Sequence, residues 1–147
     1  MKFSFERPVA KGIARNSTRI HGMIDIKLYR HMKAPRGYGR LEDADAVGLA
    51  GSADRTGPFF CIYLSIRDAT IRDVKFETYR CPWSMAGGSV LAGSVTGLEL
   101  DKASKFGLEN LLAEMGDVPA GKMECLSRAV EALKKALAEF TSRIASA

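Results

Sequence analysis

Residues 59–66 and 70–79 alternate between apolar and other side chains with a gap of only three residues. Phe60, Ile62, Leu64 and Ile66 fall on one face of the first stretch, and Phe59, Cys61, Tyr63 and Ser65 on the other. That is the period of two expected of a half-buried strand. Val74, Phe76 and Thr78 keep the same phase in the second stretch. The intervening Arg67-Asp68-Ala69 is too short for a crossover, so the two strands form an antiparallel hairpin. Residues 46–50 add a short first strand. Past Tyr79 the pattern turns helical to the end of the chain. A small antiparallel sheet of about three strands, covered on one face by helices, follows: an α+β layer arrangement.

The helices differ in kind. Residues 23–33 place Ile24, Leu28 and Met32 at i, i+4 and i+8, one face of a short helix that Pro35, Gly37 and Gly39 then end. Pro82 suits the first position of the next helix, where its missing N–H would be unpaired anyway. Residues 84–95 contain Ala86, Gly87, Gly88, Ala92 and Gly93, which let this helix lie close against another backbone. Residues 100–106 and 108–115 are two brief helical pieces, and 116–121 a loop. Leu126, Val130, Leu133, Leu137, Phe140 and Ile144 recur at spacings of four and three, the stripe of a long C-terminal amphipathic helix.

A chain of 147 residues, 46% hydrophobic and 27% charged, is one globular domain of ordinary composition. No apolar run approaches the roughly 20 residues that cross a bilayer, so no membrane role is expected. Residues 1–22 carry Lys2, Arg7, Lys11, Arg15 and Arg19 against Glu6 alone. They divide off as a basic N-terminal arm or extension, with an organelle transit peptide as the alternative, and leave 23–147 as the folded domain. The net charge of +5 is spread along the chain, and no nucleic-acid signature accompanies it. His21 and His31 match no metal-ligand spacing and read as ordinary helix-face residues. No Ser/His/Asp set, phosphate loop or carboxylate pair is present, so a classical enzyme is not expected.

Three cysteines, odd in number and without a CxxC pair, argue against a secreted disulfide framework. A reducing compartment, the cytoplasm or alternatively an organelle matrix, is expected. Cys61 sits mid-strand and reads as a buried, inert side chain. Cys81 (in Tyr79-Arg80-Cys81-Pro82-Trp83-Ser84) and Cys125 (in Lys122-Met123-Glu124-Cys125) each stand where an extended stretch hands over to a helix. Unpaired N–H groups and the dipole there favour a thiolate. Brought together, two such cysteines make a metal or iron–sulfur half-site, a redox pair or a sulfur acceptor; kept apart, they are two small buried side chains. Arg80 is either a solvated residue or a cation beside the thiolates, and Trp83 either core packing or a partner contact.

From about Asp25 to Ala138 the chain resembles the IscU/NifU-type scaffolds on which iron–sulfur clusters are assembled. His31-Met32-Lys33-Ala34-Pro35-Arg36-Gly37-Tyr38-Gly39 resembles that family's His-x-x-Asn-Pro-Arg-Asn-x-Gly segment, and Ala44-Asp45-Ala46-Val47-Gly48 its first strand. Residues 74–81, ending in Tyr79-Arg80-Cys81, are similar to its Phe-x-Thr-x-Gly-Cys strand end. Residues 95–103 match its Gly-Lys-x-Leu-x-Glu-Ala stretch, and Lys122-Met123-Glu124-Cys125 its Lys-x-His-Cys-Ser segment. The family's Cys-Gly-Asp turn reads Thr56-Gly57-Pro58 here, so its first ligand cysteine has become a hydroxyl. Arg80 replaces a glycine, Glu124 a histidine, and Val118-Pro119-Ala120-Gly121-Lys122 stands for the chaperone-docking segment.

The resemblance implies a scaffold that binds iron or a cluster, or accepts sulfur from a cysteine desulfurase or other iron–sulfur machinery, and passes it on. It implies Cys81, Cys125 and Glu124 as metal ligands, with Thr56 a poor one and Asp54 near in sequence; Glu124 reads equally as a first-turn acid favoured by the helix dipole. Bound there would be a [2Fe–2S] cluster, iron or zinc. Two cysteines per chain fall short of a cluster's usual four thiolates, and a homodimer meeting at this face would supply them. The alternative is a degenerate relative that keeps the fold without a cluster and acts as an interaction or regulatory module.

Overall fold

A computed structural model describes residues 26–79 and 81–146. The basic arm, His21, Ile24 and Arg80 lie outside them. In chain order the elements are α1 (Ile26–Lys33), β1 (Ala46–Gly51), β2 (Phe59–Arg67), β3 (Thr70–Thr78), α2 (Pro82–Val95), α3 (Leu100–Ala103), α4 (Leu108–Met115), a 3₁₀ turn (Ala120–Lys122) and α5 (Met123–Ser146). The strands form one antiparallel sheet in the order β1-β2-β3. Ala46 lies opposite Leu64, Phe60 opposite Thr78 and Arg67 opposite Thr70. The hairpin turn therefore consists of Asp68 and Ala69, both with positive φ, the backbone twist that two-residue hairpin loops require.

The alternation marks the helix-covered face, but burial on β2 goes beyond it: Cys61 and Tyr63 on the opposite face are buried too, and Ile66 only partly. Phe60, Ile62, Leu64, Val74 and Phe76 are buried on the helix-covered face with Ala46 and Ala50, and the Phe60 and Phe76 rings stack at 5.2 Å. α5 lies mainly against β1 and β2, and α2 packs on α1, α5 and β3. From α5, Leu126, Val130, Leu133 and Leu137 enter the core, joined by Ala129, Ala132 and Ala136. The apolar stripe runs out at its end: Phe140 is only partly buried and Ile144 is 55% exposed, a correction to its expected inward position. The sheet is too short to reach the last turn of a 24-residue helix.

Two contacts set the layer spacing. At Gly48, a Cβ would stand 2.0 Å from the Ala132 carbonyl oxygen and 2.7 Å from the Ala136 nitrogen, so β1 touches the α5 backbone itself. At Gly88 of α2, a Cβ would stand 2.4 Å from the nearest carbon of the Phe76 ring. The small-residue helix thus makes room for a side chain rather than a backbone; the backbone contact belongs to Gly48.

Both margins of the sheet are covered. Along β3, Gly39 donates its N–H to the Phe76 carbonyl and Phe76 donates its own to Gly37, while Ile71 exchanges bonds with Leu98 and Gly97. Along β1, Lys135 of α5 reaches the Leu49 carbonyl at 3.4 Å and Arg143 reaches that of Asp45. The expected loop at 116–121 runs into the 3₁₀ turn at Ala120–Lys122, and the helix expected over 100–106 stops at Ala103.

Candidate functional site

β3 ends with Thr78 donating its hydroxyl to the Phe59 carbonyl at 2.8 Å, and the Tyr79 N–H donates to the same oxygen. This fixes the strand's exit. Cys81 follows in extended conformation (φ −164°, ψ 118°) as the N-cap residue of α2, with Pro82 at the first helical position. Its carbonyl accepts the Met85 N–H, the opening bond of the helix. Cys125 lies in the first turn of α5, just after the 3₁₀ turn that redirects the chain. α2 and α5 pack together at this end: the Leu126 side chain fills the space a Cβ on Gly87 would take, 2.6 Å away.

The result is that Cys81 Sγ and Cys125 Sγ stand 3.5 Å apart, close enough to share a proton, and both are half-buried. Burial alone would raise the Cys81 pKa. The Ser84 N–H, the Cys125 thiol, the Trp83 N–H and the Ser84 hydroxyl outweigh it and bring the net shift down. Amide groups at a helix start stabilise the thiolate in this way. Trp83 is partly buried against the core.

The other expected ligands stand differently. The Glu124 carboxylate is 80% exposed and pairs with Arg128 one turn along, at 3.3 Å. Asp54 Oδ1 accepts hydrogen bonds from the Ser52 hydroxyl at 2.7 Å, the Thr56 hydroxyl at 2.8 Å and the Thr56 N–H at 3.1 Å. These bonds hold the exposed Asp54 carboxyl down to about 2. Thr56 and Asp54 thus satisfy one another. Among the described residues no three His, Cys, Asp or Glu side chains form a group able to hold a metal ion.

Cys61 has 1% exposure, although it lies on the sheet face away from the helices. Arg55 covers it. Held with φ at +63°, Arg55 donates to Cys61 Sγ at 3.3 Å, to the Tyr63 hydroxyl at 3.3 Å and to Glu77 at 2.9 Å, and its guanidinium lies over the Phe59 ring. Tyr63 donates its hydroxyl to Glu77 at 2.6 Å. Burial and that donation push Tyr63 up to about 12. Burial opposes ionisation of Glu77, but Tyr63, Arg55 and Arg40 leave its pKa lowered. Burial, offset in part by Tyr63 and Arg55, raises that of Cys61. Sequence reasoning missed this clasp, because nothing in Asp54-Arg55-Thr56 announces a left-handed arginine.

His31 also proves more than a helix-face residue. Its Nδ1 meets the hydroxyl of fully buried Ser89 at 2.6 Å, and the Arg36 N–H donates to the same oxygen at 2.7 Å, tying α1 to α2. Since the hydroxyl accepts from Arg36, its own hydrogen is available to a neutral His31. Burial, then the charges of Lys27 and Arg36, lower the His31 pKa.

Residues 24–147 match the family model of NifU-like N-terminal domains. The chain is 31% identical over 118 residues to the iron-sulfur cluster assembly scaffold protein IscU 1 of Archaeoglobus fulgidus, covering 80% of this chain and 76% of that one. It is 30% identical over 115 residues to the scaffold protein IscU of Aquifex aeolicus, covering 78% and 73%. In architecture it is similar to the crystal structure of a SUF-system protein from Fervidobacterium islandicum AW-1, with a TM-score of 0.59 at 19% identity over 75% of this chain and 93% of that one.

Proposed function

The chain belongs to the family of NifU-like N-terminal domains, and on that premise we propose that it is an iron–sulfur cluster assembly scaffold. It takes up iron, sulfur or a nascent cluster at Cys81 and Cys125 and passes the cargo to partner proteins. The observation that carries this reading is the 3.5 Å approach of two partly exposed sulfurs, one from the start of each of two helices. The names of its relatives from Archaeoglobus and Aquifex support the same role.

The chemistry is that of half a site. A [2Fe–2S] cluster takes four thiolates as a rule, and one chain offers two at this point. A second copy, meeting the first across the cysteine face, completes the set; iron or zinc alone requires donors from the same source. Glu124 becomes a ligand only by leaving Arg128. Sulfur enters as sulfane transferred from a cysteine desulfurase to a thiolate, which the lowered pKa of Cys81 favours. The protein binds, orients and releases, and no catalytic set is assigned to it. Free cysteines suit a reducing compartment such as the cytoplasm.

Anaerobic reconstitution with iron and sulfide tests the proposal. Visible charge-transfer absorption and about one iron per chain are expected, in the dimer fraction of a sizing column, as one two-iron cluster per pair of chains. Cys81→Ser should lose both signals. If neither protein retains iron or zinc, the chain is an interaction module on an inherited fold.

A further inference from the structure

We infer that Cys81 and Cys125 are also the two halves of a reversible intramolecular disulfide, which closes the site when the pair carries no cargo. Its regulatory meaning rests on the scaffold reading above; its chemistry does not.

Three observations carry it. The sulfurs are already 3.5 Å apart, and bonded sulfurs stand about 2.05 Å apart, so a shift of about 1.5 Å joins them. Both are reached by solvent. The groups that would otherwise engage them are themselves engaged: Glu124 by Arg128, and Asp54 by Ser52 and Thr56. The third thiol supplies an internal contrast. Cys61 has 1% exposure and lies under the Arg55 guanidinium, so an oxidant in solution meets the pair and not Cys61.

The oxidant is a low-molecular-weight disulfide, RSSR. One cysteine, as its thiolate, attacks a sulfur of RSSR and releases RS⁻, which leaves a mixed disulfide on the protein. The neighbouring cysteine attacks the protein-side sulfur of that bond and releases the second RS⁻. Two protein thiols lose two electrons and two protons in total; RSSR gains them and leaves as two RSH. The joined sulfurs then have no thiolate to offer iron, and a dithiol restores both.

Oxidised glutathione on the reduced full-length chain is the test. Intact mass should fall by about 2 Da, the weight of two hydrogens. Peptide mapping should link Cys81 to Cys125, and one free thiol, Cys61, should remain. Dithiothreitol should reverse all three. Cys81→Ser should instead carry a glutathione adduct on Cys125. Persistence of three free thiols in the wild type, stable glutathione adducts on it, or linkage between chains would overturn the inference. Iron and sulfide uptake by the reduced protein, measured separately, tells the two readings apart. A disulfide without uptake sinks the scaffold and leaves this inference standing; uptake without a disulfide does the reverse.

Discussion

Gly48→Ala is the sharpest probe of how the helical layer is held over the sheet. The added methyl would lie 2.0 Å from the Ala132 carbonyl oxygen, 2.7 Å from the Ala136 nitrogen and 3.0 Å from the Ala136 Cβ. An ordinary contact needs about 3.4 Å, so α5 must retreat by about 1.4 Å or β1 must bend away. No rotamer relieves the clash, because the first two atoms are main chain. Overpacking typically costs about 1–3 kcal/mol, and this case belongs at the upper end. The unfolded chain loses some freedom with alanine, which offsets about 0.4–1 kcal/mol. A net loss of about 2–2.6 kcal/mol remains, or about 8–10 °C in Tm at this chain length. Urea unfolding followed by circular dichroism measures it. Gly121→Ala is the control, since nothing lies within 4 Å of its added methyl, and it should stay within about 0.5 kcal/mol of wild type. If Gly48→Ala proves as stable as that control, the close seating of α5 on β1 is wrong.

Ser89→Ala should cost about 1–3 kcal/mol by leaving the Arg36 N–H without its acceptor, read as a shifted urea midpoint. In the wild type the His31 pKa is lowered in the fold, so the native state binds fewer protons than the unfolded chain; stability should fall as pH drops from the ordinary histidine range through the folded pKa. Urea midpoints at pH 7 and pH 5 check this, and His31→Gln should flatten the difference. Tyr63 should ionise with a midpoint of about 12, seen at 295 nm as the slowest-rising component, missing from Tyr63→Phe; its raised pKa contributes stability below the ordinary tyrosine range that is lost as pH rises through that value. Cys81, with its pKa lowered, should alkylate with iodoacetamide at lower pH than an ordinary thiol, and Cys61, with its pKa raised, only at higher pH or on unfolding. Peptide-resolved alkylation across pH 6–10 decides it, and equal profiles would refute both assignments.

The hairpin and the C-terminal stripe are legible in the sequence because each is a periodicity, and periodicity reports which face is buried; the small-residue helix is legible instead from Pro82 and its alanines and glycines. The pairing of Cys81 with Cys125 is legible for another reason: both sit at junctions, and the family resemblance set those junctions side by side. What escaped is what depends on distances between segments far apart in the chain. Gly48 gives no sign of touching Ala132, 84 positions away. Ser89 looks like one more small residue of its helix until His31 and Arg36 arrive. Arg55 owes its place to a single left-handed backbone angle, which a non-glycine residue rarely advertises. Ile144 shows the opposite failure, where the apolar repeat outlasts the surface it could cover.

The covering of the sheet's two flanks governs how copies of this protein can meet. Strand addition, the usual way β-proteins join or aggregate, is opposed on one flank by the chain's own backbone and on the other by a lysine and an arginine laid over carbonyls that an incoming strand would seek. Contact between copies of this chain is thereby left to side chains rather than to an added strand.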